Sequence, residues 1–317
     1  MNGTQNPTPA HAAHIILVAS QKGGVLKSSL ASATAAELAA NGLRVLVVDG
    51  DLQGNVTARD YGVEGDHGRG LAMTMQYGVP LTPIPARENL DVIAGGMHLA
   101  GIPAVLASQA VTVNSTGDAT LATNLGGALR DLVAQEGYSF VVIDAGPGDV
   151  LMLDGYMALS DWLVMPTRED DGSIDGVKLL GTRMEALNSR GVTDIGLLGV
   201  VLTAVNPQAT KRNAATSSQI VEMFGGESAA VFDSTITLQQ ALARDLRKHN
   251  LVPADFRTGV FQERVEAGSL RRGDLWSRDA SRLVDDYRDL TKEIVGRVVE
   301  FSRDAAASGE TEQNKEN

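Results

Sequence analysis

The stretch Lys22-Gly23-Gly24-Val25-Leu26-Lys27-Ser28-Ser29 holds the residues whose types and spacing point most directly to chemistry. An apolar run, Ile15–Ala19, leads into it, and a small-residue helical pattern over 29–41 leaves it. A strand, a glycine-bearing turn and a helix N-terminus make an anion site: backbone N–H groups point inward and the helix dipole favours negative charge. The ending Lys27-Ser28 suits a polyphosphate, with the lysine reaching the β and γ phosphates and the hydroxyl binding Mg²⁺. Two residues are unusual in such a loop. Lys22 precedes the glycine pair, and Leu26 stands where glycine is normal.

Two further strings carry carboxylates. Val47-Val48-Asp49-Gly50-Asp51-Leu52-Gln53-Gly54-Asn55 ends an apolar run with acids at i and i+2. Carboxylates at the C-terminal end of a strand face the crevice where open α/β sheets bind ligands, although an aspartate there can also cap a turn. Tyr138–Gly148 holds a second apolar run ending in Asp144, the pattern of a carboxylate that supports Mg²⁺. Order adds weight to the three: phosphate loop, acid pair, then apolar strand with aspartate.

These strings need a scaffold. Strand-length apolar runs fall at 15–19, 44–48, 90–94, 140–143, 162–166, 195–203 and 229–232. Helical patterns lie between them near 29–41, 118–136, 172–190 and 209–225. The alternation predicts an α/β fold, a mostly parallel twisted sheet with helices on both faces. From Arg278 to Asp304, Leu283, Tyr287, Leu290, Ile294, Val298 and Phe301 recur at helical spacing, predicting a helix packed on the domain. The same stretch carries Asp285, Asp286, Asp289 and Glu293, the wrong charge for a helix lying on anionic lipid. The expected organisation is a flexible arm over 1–13, one domain over 14–306, and a disordered acidic tail over 307–317.

Composition narrows the function. The chain has 317 residues, 43% hydrophobic and 21% charged, the balance of a globular protein. It has no cysteine, which excludes thiolate metal sites and cysteine nucleophiles and agrees with a cytoplasmic location. No apolar run is long enough for a membrane span. The net charge of −12 argues against a uniformly basic surface. Residues 241–306, however, hold 13 basic against 12 acidic side chains, so a nucleic-acid surface should be a local C-terminal patch.

Together the three strings resemble the ParA/MinD family of deviant Walker ATPases, over roughly residues 14–250. The family's loop reads Lys-Gly-Gly-Val-Gly-Lys-Thr-Thr, here Lys22–Ser29. Its second motif, Asp-x-Asp-Pro-Gln-Gly-Asn, is here Asp49–Asn55 with Leu52 for proline. Its third, Ile-Asp-Thr-Pro-Pro, is here Ile143–Pro147 with Ala145 and Gly146 departing. The Gln-Gly-Asn string is similar to the ParA partition branch.

The resemblance implies ATP and Mg²⁺ as cofactors. It implies a phosphate cradle of Gly23, Gly24, Val25, Leu26 and Lys27, with Ser28 on the metal and Ser29 on the α-phosphate. Lys22 resembles the lysine that reaches across a sandwich homodimer to the partner's ATP. Asp51 would position the attacking water, with Asp49 and Asp144 near the metal. Asn206 resembles an adenine contact, or is an ordinary turn asparagine. The resemblance further implies weak, partner-stimulated ATP hydrolysis. It implies release by a ParB-type centromere-binding partner, no membrane, and non-specific DNA binding on the nucleoid. Lys211, Arg212, Arg244, Arg247, Lys248, Arg271 and Arg272 are the DNA-binding candidates. A membrane-cycling MinD-like ATPase, and a nucleotide-binding regulator with hydrolysis weakened by Leu26, are the alternatives.

Overall fold

The computed structural model describes residues 13–113, 117–146, 149–277 and 279–313. Residues 1–12 of the expected 1–13 arm, residues 114–116, Pro147-Gly148 of the third motif, Arg278 and residues 314–317 lie outside the described residues.

The first half of the chain runs β1 (His14–Val18), α1 (Lys27–Ala40), β2 (Val45–Gly50), α2 (Arg69–Tyr77), β3 (Ile84–Arg87), β4 (Leu90–Ile93), α3 (Ile102–Val113) and α4 (Gly117–Glu136). It continues with β5 (Phe140–Ala145), α5 (Val150–Leu159), β6 (Trp162–Thr167), α6 (Asp171–Ser189), β7 (Gly196–Val205) and α7 (Thr210–Met223). The C-terminal part holds β8 (Ile236–Thr237), α8 (Gln240–His249), α9 (Asp255–Thr258), α10 (Val260–Glu266) and α11 (Ser281–Gln313).

One sheet of eight strands, ordered β3-β4-β2-β5-β1-β6-β7-β8, organises these elements. Every neighbouring pair is parallel except the antiparallel edge pair β3–β4. Strand side chains alternate between two cores because successive Cβ atoms point to opposite faces. Leu17, Leu46, Val48, Val141 and Ile143 enter a core covered by helices from α2 to α7. Ile16, Val18, Val45, Val47 and Val142 enter a second core beneath α1, α8, α10 and α11. Near-continuous Val/Ile/Leu runs are what burial on both faces requires. Among the described residues, no helix is long and apolar enough to cross a membrane.

The expected strand at 229–232 does not form as such. Residues Ser228–Ala230 make a 3₁₀ turn, and Val231 contributes a single parallel bridge to Val200. The cause is Arg297 of α11. Its guanidinium donates to the carbonyls of Ala229, Val231 and Leu198, with the ring of Phe232 4.1 Å from it, so these carbonyls are not free for a ladder. The edge strand is the short β8 instead.

The acids of α11 are also not a solvated face throughout. Asp286 accepts the Thr237 N–H and hydroxyl at 2.9 and 2.6 Å, and Glu293 accepts the Asp233 and Ser234 N–H groups at 2.9 Å each. The helix continues to Gln313, past the Asp304 end read from the apolar spacing, so 307–313 of the expected tail are helical in backbone.

Candidate functional site: a phosphate-sized cleft at the strand ends

Parallel β1, β5 and β2 lie side by side, with Val18 opposite Asp144 and Asp144 opposite Asp49. That register places the loop after β1 and both acid-bearing strand ends along one edge. The loop after β1 turns through Gly24 at φ +80° and Leu26 at φ +64°, and α1 begins at Lys27. Leu26 thus occupies a left-handed conformation that its Cβ disfavours by on the order of 1–2 kcal/mol. Its side chain packs against the core under α8, which offsets the strain and keeps the cradle shape. Thr203 Oγ1, 3.1 Å from the Val25 carbonyl and 2.9 Å from that of Thr167, fixes the loop to β6 and β7.

The cleft encloses about 310 Å³, lined by Lys22, Gly23, Gly24, Leu26, Lys27, Ser28, Ser29, Asp51, Gln53 and Asn55, together with Arg59, Asp60 and Arg247. Lys27 is buried, and its Nζ lies 3.3 Å from Oδ1 of Asp144, which has no exposed surface. Burial pushes the Asp144 carboxyl up, Lys27 and the Ser28 hydroxyl draw it back, and Asp51 pushes it up again. Asp51 is 4% exposed and accepts the Gln53 N–H at 2.9 Å.

Asp49 serves differently from its neighbours. Its Oδ2 accepts the N–H and hydroxyl of Thr57 at 2.8 and 2.7 Å, which caps the π-helical turn Val56–Asp60. A Cβ at Gly95 would lie 2.1 Å from the Asp49 carbonyl oxygen, so only glycine fits there. Burial and the nearby Asp144 charge raise the Asp49 carboxyl to about 7, against the pull of Thr57. The geometry therefore ties Asp49 to the segment after Asp51, away from the cleft lining.

The other predicted residues divide. Lys22 is ion-paired in its own chain with Asp170, the N-cap of α6, whose carboxyl Lys22 draws down to about 2. Asn206 makes a turn: its Oδ1 accepts the Gln208 N–H at 3.0 Å and its carbonyl accepts from Asn213. The basic candidates do not form one patch. Lys211 and Arg212 open α7 on one face of the sheet, with Arg212 paired to Glu169 at 2.7 Å. Arg244, Arg247 and Lys248 lie on α8, over the other core. Arg271 and Arg272 follow α10, with Arg272 bonded to Gln262 and its guanidinium 5.8 Å from the Phe261 ring.

Sequence reasoning missed Arg59, Asp60 and Arg247 as cleft residues. Asp60 accepts from Ser32 Oγ at 2.6 Å, and burial raises it from 3.8 to about 6, with Arg247 and Arg59 acting in the opposite sense. A raised folded pKa means that the folded state binds more protons than the unfolded state between about pH 4 and 6. Its stability contribution is therefore full below that window and falls as pH rises through it, by on the order of 2–3 kcal/mol. Asp60→Asn should flatten this part of the urea-unfolding profile relative to wild type. Equal slopes in the two proteins would contradict the assignment.

Beside the cleft is a second cavity of about 350 Å³, more apolar, which shares Leu26, Ser29, Asp60 and Arg247 with it.

Residues 13–196 match the model of a family described as an AAA domain. The chromosome-partitioning ATPase Soj of Thermus thermophilus is 28% identical over 292 residues, which cover 90% of this chain and 96% of that protein. The chromosome partitioning protein ParA of Caulobacter vibrioides is 26% identical over 235 residues, or 72% of this chain and 81% of that one. Among solved structures, apo McdA from Cyanothece has a TM-score of 0.67 at 18% identity, covering 89% of this chain and 99% of the other. A plasmid partition protein from Borrelia burgdorferi bound to AMPPNP has a TM-score of 0.61 at 19% identity, covering 91% and 99%. At these identities the structural likeness shows the fold alone.

Proposed function

This chain belongs to the ParA-type P-loop ATPases of the AAA domain family, and from that membership we propose that it is a partition ATPase acting as an ATP-driven, DNA-binding dimer. The observation that carries the reading is the buried Lys27–Asp144 pair at the mouth of a strand–loop–helix cradle, with Asp51 on the facing wall. ATP occupies the cleft, with its β and γ phosphates on Lys27 and the loop N–H groups.

The donors suit Mg²⁺. Asp144 Oδ2 is a buried oxygen that no described group hydrogen-bonds, and the Ser28 hydroxyl lies close enough to lower the Asp144 pKa. A hydroxyl and a carboxylate with phosphate oxygens form the hard oxygen set this ion takes. Bound there, it supplies charge neutralisation on the phosphate oxygens. Asp51 orients the attacking water. Lys22 leaves Asp170 and neutralises phosphoryl charge in a partner protomer. The pair it leaves is half-exposed, and such pairs contribute only about 0–1 kcal/mol, so release is easy.

Hydrolysis, stimulated by a ParB-type centromere-binding partner, relaxes Asp49–Asn55 and the segment after Asp144. The dimer then leaves the DNA of the nucleoid in the cytoplasm. Salt-dependent DNA binding in the apo, ADP and Mg-ATP forms tests this reading. Binding confined to the Mg-ATP form, and falling steeply with salt, is expected. Equal binding in all three forms would remove the switch.

A further inference from the structure

Arg247 belongs, by sequence, with the basic residues suited to DNA. The fold puts it elsewhere. Its side chain lines the phosphate-sized cleft together with Lys27, Ser28, Ser29 and Asp51. It also lines the adjoining cavity, so it stands at the junction of the two spaces. A cleft of about 310 Å³ is the size of a small-molecule site and has no room for a duplex.

Three features hold α8, and with it the backbone of Arg247, at that place. Leu242 and Leu246 of α8 are buried in the core shared with α1. Asp245, also buried, accepts the N–H groups of Trp276 and Ser277 at 2.8 Å each, which fixes the outer side of the helix. Asn250, the C-cap of α8 at φ +52°, donates through Nδ2 to the carbonyls of Ala58 and Arg59 at 2.9 and 3.0 Å. The end of α8 is thereby bonded to the turn that follows the Asp49–Asn55 string. No described carboxylate forms an ion pair with Arg247. Asp60, whose carboxyl Arg247 helps draw down, already accepts from Ser32. A guanidinium lining a phosphate cradle with no ion-paired carboxylate among the described residues is available to an anion.

We propose that Arg247 is a phosphate-binding residue of the nucleotide site, supplied in cis by α8 to the phosphate chain of a nucleoside di- or triphosphate. The inference rests on the nucleotide reading above. Through Asn250 the same contact joins nucleotide occupancy to the turn Val56–Asp60. Through α8 it reaches Arg244, whose guanidinium lies 4.0 Å from the exposed Trp276 ring.

The test uses the full chain and calorimetric binding of Mg-ATPγS and Mg-ADP. Arg247→Ala should weaken both ligands by roughly tenfold, the size of one lost charge-assisted contact, with Arg247→Lys in between. The side chain is exposed, so thermal unfolding should be unchanged, and Arg247→Gln provides a second neutral variant. Nucleotide affinities within twofold of wild type in both neutral variants would overturn the proposal. Weakened DNA binding together with unchanged nucleotide affinity would overturn it as well, and return Arg247 to the DNA set. Failure of the underlying reading looks different: wild type itself binds neither nucleotide, or Lys27→Ala binds them as well as wild type.

Discussion

Lys27→Ala is expected to remove ATP turnover, by at least about a hundredfold, and to destabilise the fold in the same step. The first effect follows from losing the cation over the β and γ phosphates. The second follows from Asp144, which has no exposed surface and would be left without its partner. Removing one member of a buried ion pair costs about 3–5 kcal/mol, because the other charge stays desolvated. Protonation of Asp144 can relieve that cost. Burial and Asp51 already push this carboxyl up, and loss of Lys27 pushes it further. The destabilisation should therefore be smaller at acid pH and grow as pH rises. Adding Asp144→Asn to Lys27→Ala should recover much of the stability and none of the turnover, a strongly non-additive cycle. Urea unfolding at two pH values, beside a phosphate-release assay, reads both halves. Turnover that survives in Lys27→Ala would refute the site assignment.

Lys22→Ala is expected to lower turnover by roughly 10³-fold or more while leaving ATP affinity nearly intact, since an inserted cation of this kind acts on transition-state charge. Its stability should change by less than about 1 kcal/mol, because the Lys22–Asp170 pair is half-exposed. Asp170→Asn should free Lys22 and still cap α6, as asparagine caps about as well as aspartate, so its turnover should not fall. The sharper measurement is complementation. Lys22→Ala retains Asp51 but lacks the reaching lysine, and Asp51→Asn retains the lysine but lacks the water-positioning acid. If Lys22 acts in a partner's site, mixing these two inactive proteins restores about a quarter of wild-type turnover, from one competent site in half of the dimers. A mixture as inactive as its parts would place the action of Lys22 within its own chain.

The cradle was legible because its residues are local. Lys22–Ser29, Asp49–Asp51 and Asp144 each sit at the end of an apolar run, and a parallel sheet brings such ends together on one edge. The alternating cores followed from the same runs. What was not legible depends on distant partners. Asp49 reads as a metal neighbour, and only the structure shows that Thr57 takes its Oδ2. Lys22 meets Asp170 across 148 residues. Arg247 reaches the cleft only because α8 folds back against the turn Val56–Asp60, and nothing in its neighbours Leu246 and Lys248 signals that. The strand at 229–232 failed for a similar reason: Arg297, some 66 residues later, donates to the Ala229 and Val231 carbonyls that a ladder would need. β3 was missed because Ile84-Pro85-Ala86-Arg87 is short, carries a proline and sits at an edge, where proline is tolerated.

The hold of α11 on the rest of the chain has a consequence for the order of synthesis. The cradle, both acid-bearing strands and their helices leave the ribosome early. Asp286, Glu293 and Arg297, which fasten the stretch from Ala229 to Thr237 just ahead of α8, emerge well after them. A nascent chain thus displays a phosphate loop well before the wall carrying Arg247 is anchored. If Arg247 meets phosphate as proposed, nucleotide captured before α11 docks would lack that contact.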